Sequence, residues 1–278
     1  MQYIFLNLKR FDIPRVAGGV NDLVPTADWG AHIVEAIQDG LAPYNDGTRF
    51  VAFFPEAHIL GAKAALMSGS PLALGCQSVH FHDVMAGGNF GAMTTSLPAA
   101  AAVNLGCTWV MVGHCEERNK LREIITAGGG NTTAVNTLLA ASARCALAAG
   151  LNVLYCVGET AEEQPMREQV LRAQLEAMLP LHDNLARSQE IVIAYEPVWA
   201  IGPGKTPPDA AYIRDTAQFI RDLSGLPVVY GGGLKQENAP MLAGIDAVSG
   251  GLIALTRFTG DIGFYPSEYL QIVEAYHA

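Results

Sequence analysis

Positive charge is scarce in this chain: 17 lysines and arginines stand against 27 aspartates and glutamates, for a formal net charge of −10. A surface of that sign repels nucleic acid and anionic membrane, so an anionic ligand has to be held in a locally cationic or amide-lined pocket. Cysteine is sparse as well. The five, Cys76, Cys107, Cys115, Cys145 and Cys156, are odd in number and form no Cys-x-x-Cys pair, which excludes a disulfide scaffold and fits reduced thiols in the cytoplasm. No apolar run reaches the roughly 18 residues that a membrane helix needs; the Ala-rich stretch 138–149 is broken by Ser142 and Arg144. A secretory pattern is missing too, because Lys9 and Arg10 follow the first apolar run instead of preceding it. With no Ser/Pro-rich linker or charge block to divide the 278 residues, 1–278 reads as one domain.

What is present is a succession of short apolar runs, at 3–6, 50–54, 72–76, 109–112, 153–157, 191–195, 227–230 and 246–248, most of them separated by segments of helical period. Continuous rather than alternating apolar runs belong to parallel strands buried on both faces. Strand and helix in strict alternation predict an α/β protein, a single (β/α)8 TIM barrel. Among the helices, Trp29, Ile33 and Ile37 share a face expected to end at a Gly40 cap, Thr132 opens a helix that Gly150 stops, and Thr206-Pro207 opens another that Gly225 stops. Residues 10–27, with Pro14, Gly18, Gly19 and Pro25, read as an inserted loop.

In such a barrel the residues just past each strand face the ligand. Asn7 and Lys9 follow the first run, His114 and Glu116 the fourth, Glu196 the sixth, Gly233 the seventh, and Gly250 with Gly251 the eighth. Taken singly, a lysine or glutamate after a strand is more often solvated and a histidine more often structural, so the set and its order carry the information. His114 heads a helical segment, whose positive amino end disfavours a second positive charge and suits a neutral ring that donates a hydrogen bond. After Glu196 come a proline, an aromatic anchor and glycines, the build of a stiff lid over 197–206. The pair His80 and His82 has zinc-ligand spacing, but a barrel zinc site draws further ligands from other strand ends. Since His32, His58, His114, His182 and His277 fall mostly on helices or tails, no metal is expected.

The run Ala194-Tyr195-Glu196-Pro197-Val198-Trp199-Ala200-Ile201-Gly202-Pro203-Gly204-Lys205-Thr206 resembles the catalytic-loop signature of the triosephosphate isomerase family. Asn7-Leu8-Lys9 is similar to that family's Asn-Trp-Lys, Gly113-His114-Cys115-Glu116-Glu117-Arg118 to its Gly-His-Ser-Glu-Arg-Arg, and Cys156-Val157-Gly158-Glu159-Thr160 to its Cys-x-Gly-Glu-Thr. The resemblance implies interconversion of dihydroxyacetone phosphate and glyceraldehyde 3-phosphate through an enediolate, without a cofactor. It gives Glu196 the role of base, His114 that of electrophile, Lys9 that of cation held in place by Asn7, and Glu116 that of supporting acid. The phosphate is expected at Gly202, Gly233, Gly250 and Gly251, and a homodimer is expected through the loop 91–96. Departures from the pattern are Leu8, Ser78, Cys115, Glu117, Gly233 in place of a serine, an altered eighth loop where the family has Leu-Val-Gly-Gly-Ala-Ser, and a long tail at 257–265. They leave two alternatives, an isomerase of a four-carbon ketose or aldose phosphate and a non-catalytic sugar-phosphate-binding barrel, and they predict less efficient turnover of triose phosphate than is usual for the family.

Overall fold

Hydrogen-bonded pairing runs in chain order from β1 to β8 and returns to β1, closing a parallel barrel. The computed structural model describes residues 1–179, 189–202 and 204–278; His182 lies outside them. The strands are β1 (Gln2–Asn7), β2 (Thr48–Phe54), β3 (Leu72–Cys76), β4 (Trp109–Val112), β5 (Asn152–Val157), β6 (Ile191–Tyr195), β7 (Val228–Tyr230) and β8 (Gly250–Ile253). Strand side chains alternate between two cores, as the pleat requires. Tyr3 and Phe5 point into the barrel, where Phe5 stacks on Phe53 at 5.8 Å and meets the edge of Trp109 at 5.3 Å. Ile4 and Leu6 point outward into the layer between barrel and helices. Both faces being buried explains why the strands read as unbroken apolar runs.

Among the described residues the outer layer contains α1 (Trp29–Leu41), α2 (Glu56–Ala65), α3 (Ala99–Leu105), α4 (Cys115–Ala127), α5 (Ala134–Ala148), α6 (Arg167–Glu176), α7 (Ala210–Ser224), α8 (Ala239–Ala243) and α9 (Pro266–His277). None of them is long and apolar enough to cross a membrane. Three boundaries differ from those expected. Helix α1 continues through Gly40, which is no cap: a Cβ there would stand 2.7 Å from Leu270 of α9, so the glycine permits close helix packing. Helix α7 begins after Asp209, whose side chain accepts the Tyr212 N–H at 2.8 Å and so fixes the start beyond Thr206.

The third difference bears on function. Strand β8 is Gly250–Ile253, and 246–248 is a turn in which the Val248 N–H reaches the Ile245 carbonyl at 2.8 Å. Gly250 pairs with Tyr3 at φ +139, and a Cβ there would lie 1.8 Å from the Tyr3 carbonyl oxygen, so only glycine lets β8 close against β1.

The inserted loop is organised by Asp12, which is buried. Its carboxylate accepts two hydrogen bonds from Arg10, at 3.0 and 2.7 Å, and lies 3.1 Å from Nε2 of His58. Its carbonyl accepts from the Asn21 amide at 3.2 Å. His58 is thereby a structural residue beneath the loop.

Candidate active site

Glu196 is the first residue beyond β6, and its N–H donates to the Val157 carbonyl at 2.7 Å. Two glycines allow the neighbouring strand ends to close around it. A Cβ at Gly158 would fall 1.8 Å from the Glu196 carbonyl oxygen, and one at Gly231 would fall 2.7 Å from Glu196 Cγ. The residue is 1% exposed, and that burial pushes its carboxyl above the usual range against the opposing pull of His114 and the Cys115 N–H. Oε2 accepts the Cys115 N–H at 2.9 Å, while Oε1 lies 3.3 Å from His114 Nε2 and accepts no hydrogen bond among the described residues.

His114 caps helix α4 with its ring: Nδ1 accepts the Glu116 N–H at 3.3 Å. A nitrogen that accepts must hold a lone pair, so the proton of the neutral ring sits on Nε2, the nitrogen beside Glu196. Burial and the charge of Glu196 push the Cys115 thiol up to about 12, which keeps it protonated. Below this turn, the buried Arg118 donates to the carbonyls of Gly113 at 2.9 Å and Cys156 at 2.8 Å. Glu117 accepts the Gly113 N–H at 2.6 Å and the Ser78 hydroxyl.

Lys9 sits at φ 40, a left-handed backbone that a non-glycine residue adopts at a cost. Asn7 fixes it there by accepting the Lys9 N–H at 3.0 Å, and the Gln77 amide donates to the Lys9 carbonyl at 2.9 Å. The ammonium reaches Glu116 Oε1 at 2.6 Å. Burial alone would raise the Glu116 carboxyl, but the Lys9 hydrogen bond and charge outweigh it and hold the group below its ordinary value. The base of the lid is tied down by buried Glu159, whose Oε1 accepts from Tyr195 at 3.0 Å, Trp199 at 2.8 Å and Tyr212 at 3.1 Å.

These ends enclose a cavity of about 210 Å³. Asn7, Lys9 and His114 form one wall, Ala200 to Gly202 and Lys205 the lid side, Gly231 to Lys235 the β7 side, and Ala254, Leu255 and Phe258 the wall beyond β8. The model of the family described as triosephosphate isomerase matches residues 25–274. A triosephosphate isomerase of Magnetococcus marinus is 33% identical over 241 residues, 82% of this chain and 87% of that protein. One of Azoarcus sp. is 39% identical over 212 residues, 72% and 79% of the two. This chain belongs to the triosephosphate isomerase family. The crystal structure of triosephosphate isomerase from Bartonella henselae matches with a TM-score of 0.71, covering 100% of this chain and 99% of that one at 24% identity, a likeness of fold.

Against the triosephosphate isomerase pattern, the structure brings Asn7, Lys9, His114, Glu116 and Glu196 to one end of the barrel. Gly202 and Gly233 line the cavity at φ +116 and +99, and among the described residues neither N–H finds a partner within the protein. Gly250 and Gly251 are a correction. They lie inside β8, where a Cβ at Gly251 would meet Leu234 at 2.7 Å, and they do not line the cavity. With Leu252-Ile253 in the place of the family's Leu-Val, Ala254 and Leu255 stand where its glycine pair is expected. The sequence offered two adjacent glycines and no means of telling a strand-packing requirement from a ligand loop.

His80 and His82 are joined by no third ligand among the described residues; the His80 ring stacks on Phe81 at 4.1 Å. Donor atoms of His114, Cys115 and Glu196 do lie within 4.8 Å of one another. The Cys115 sulfur is nearly equidistant from the two His114 ring nitrogens, at 3.8 and 3.9 Å.

Proposed function

We propose that this protein interconverts dihydroxyacetone phosphate and glyceraldehyde 3-phosphate by proton transfer through an enediolate. The juxtaposition of the Glu196 carboxylate with His114 Nε2, at 3.3 Å, carries the assignment. Glu196 removes a proton from the carbon beside the carbonyl, and the N–H of His114 polarises the carbonyl oxygen as charge develops there. Lys9 places a positive charge at the same mouth, and Glu116 keeps its ammonium oriented before substrate arrives. The amides of Gly202 and Gly233, without a partner among the described residues, face the phosphate. Closure of 197–206 shuts water out, which protects the enediolate from side reactions and strengthens every charge inside.

Two further properties belong to the proposal. Phe90, 87% exposed in the loop after β3, is covered by a second copy of the chain in a homodimer. The five thiols, all free, suit the reducing cytoplasm. Turnover is tested by coupling glyceraldehyde 3-phosphate isomerisation to reduction of the dihydroxyacetone phosphate formed. Purified folded protein that leaves both triose phosphates unchanged, yet binds them, would mark it as a binding barrel instead.

A further inference from the structure

The segment between β8 and α9 is longer than the family pattern expects, and the catalytic geometry leaves it unexplained. It is built with care. The Thr256 and Arg257 N–H groups both donate to the Gly263 carbonyl at 3.1 Å, and the Tyr265 N–H donates to the Thr256 hydroxyl at 2.9 Å. The Arg257 guanidinium pairs with Glu268 and lies 3.9 Å over the Tyr265 ring. So pinned, the turn presents Phe258 to the cavity, and the ammonium of Lys235 sits 3.8 Å from the centre of that ring.

Lys235 runs past the position where the family has a serine side chain and this chain has Gly233. Its Cε lies 3.7 Å from where a Cβ at Gly233 would be, a contact distance, so its stem passes beside the position that the missing serine would occupy. The turn that carries it is locked by Asn238, which accepts the Lys235 N–H at 2.8 Å and donates to the Gly233 carbonyl at 3.0 Å. Among the described residues no carboxylate pairs with Lys235. An aromatic face attracts an ammonium without neutralising it, so the ring holds the cation in place while leaving its full charge available to an anion.

We propose that Lys235, seated on Phe258, is the side-chain cation that grips the phosphate of the substrate. On this account it takes over the work of the serine hydroxyl missing at position 233, while Ala254 and Leu255 replace the glycine pair. The inserted turn exists to hold the platform for that lysine. The inference rests on the isomerase assignment for the identity of the ligand, though not for the presence of an anion site.

A hydrogen bond to a charged group is worth enough to change affinity by about tenfold or more. Lys235→Met, which keeps the stem and removes the charge, is expected to lower kcat/KM for glyceraldehyde 3-phosphate by at least that factor. The inhibition constant of inorganic phosphate should rise in parallel. Lys235→Arg should recover most of both, soluble ethylammonium should partly rescue Lys235→Ala, and Phe258→Leu should weaken phosphate in the same direction by less. A Lys235→Met protein with unchanged kcat/KM and phosphate inhibition overturns the proposal. So does an arginine variant as poor as the methionine one with no rescue by ethylammonium, since that pattern marks a structural role. If the unaltered protein has no isomerase activity, calorimetric titration with inorganic phosphate separates the two claims: binding lost in Lys235→Met upholds the anion site while the isomerase assignment fails, and binding retained in it overturns the anion site.

Discussion

Glu196 and Cys115 are joined by the one hydrogen bond the Glu196 carboxylate accepts among the described residues, from the Cys115 N–H at 2.9 Å. The proposed base is therefore parked on the amino end of α4, with its second oxygen unpartnered and 3.3 Å from the ring of His114. An amide keeps the shape and can still accept that N–H, but cannot take a proton. Glu196→Gln is expected to fold and to lose at least ~10²-fold in kcat. Near-normal turnover by the folded variant would remove Glu196 from the reaction.

The same burial predicts a pH signature. Because the folded protein holds the Glu196 carboxyl above its unfolded value, the folded state binds more protons than the unfolded one between those two values, and stability falls as pH rises through that window. Relative to the parent, Glu196→Gln should melt higher at neutral pH, and the gap should close as the solution is taken below the ordinary carboxylate range. Melting curves at a series of pH values test this. A gap that is independent of pH would mean that the carboxylate's burial has no energetic cost.

Gly158 faces the Glu196 backbone so closely that a Cβ would stand 1.8 Å from the carbonyl oxygen, a collision with main chain that no rotamer relieves. Gly158→Ala should lose about 3 kcal/mol of stability, the upper end of what overpacking costs, and activity should fall with it as Glu196 shifts. Chemical denaturation of the variant showing parent-like stability would contradict the close approach of the β5 and β6 ends at this point.

Lys9 adopts φ 40, and its backbone strain is the counterpart of its place beside the cavity. Glycine takes that conformation freely, so Lys9→Gly should gain up to roughly 1 kcal/mol from relief of left-handed strain, less the loss of the ion pair to Glu116. Activity should drop by at least ~10²-fold with the cation gone. Equal losses of stability and activity would show that the position is unstrained.

The exposed Phe90 supplies a test of assembly. Light scattering at micromolar concentration should give twice the mass of the 29.5 kDa chain, and Phe90→Asp should shift the population toward one chain. A fully active single chain would refute the homodimer.

Much of this protein is written locally. Seven of the eight apolar runs became strands and the eighth, 246–248, lies just ahead of β8; that was enough for the barrel, because a strand buried on both faces has no freedom to be polar. Lys9, His114 and Glu196 were legible for a related reason: in this architecture each strand's carboxyl end faces the site, so order along the chain becomes position around a ring. What was not legible depends on contacts between segments far apart in sequence. Gly40 looks like a helix cap until Leu270 is seen beside it, and Asp12 looks like a loop acid until His58 is found beneath it. Gly250 and Gly251 show the limit most clearly. Two glycines after an apolar run suit an anion loop and a tight strand contact equally, and only the approach of Tyr3 to within 1.8 Å of a would-be Cβ decides for the strand. The sequence by itself determined the barrel, through periodicity and order, and placed Lys9, His114 and Glu196 at strand ends; the roles proposed for them came from the resemblance to the family. The tertiary structure alone decided which backbone amides are free and that Lys235, two residues beyond a missing serine, rests on Phe258, because packing across the barrel mouth sets both.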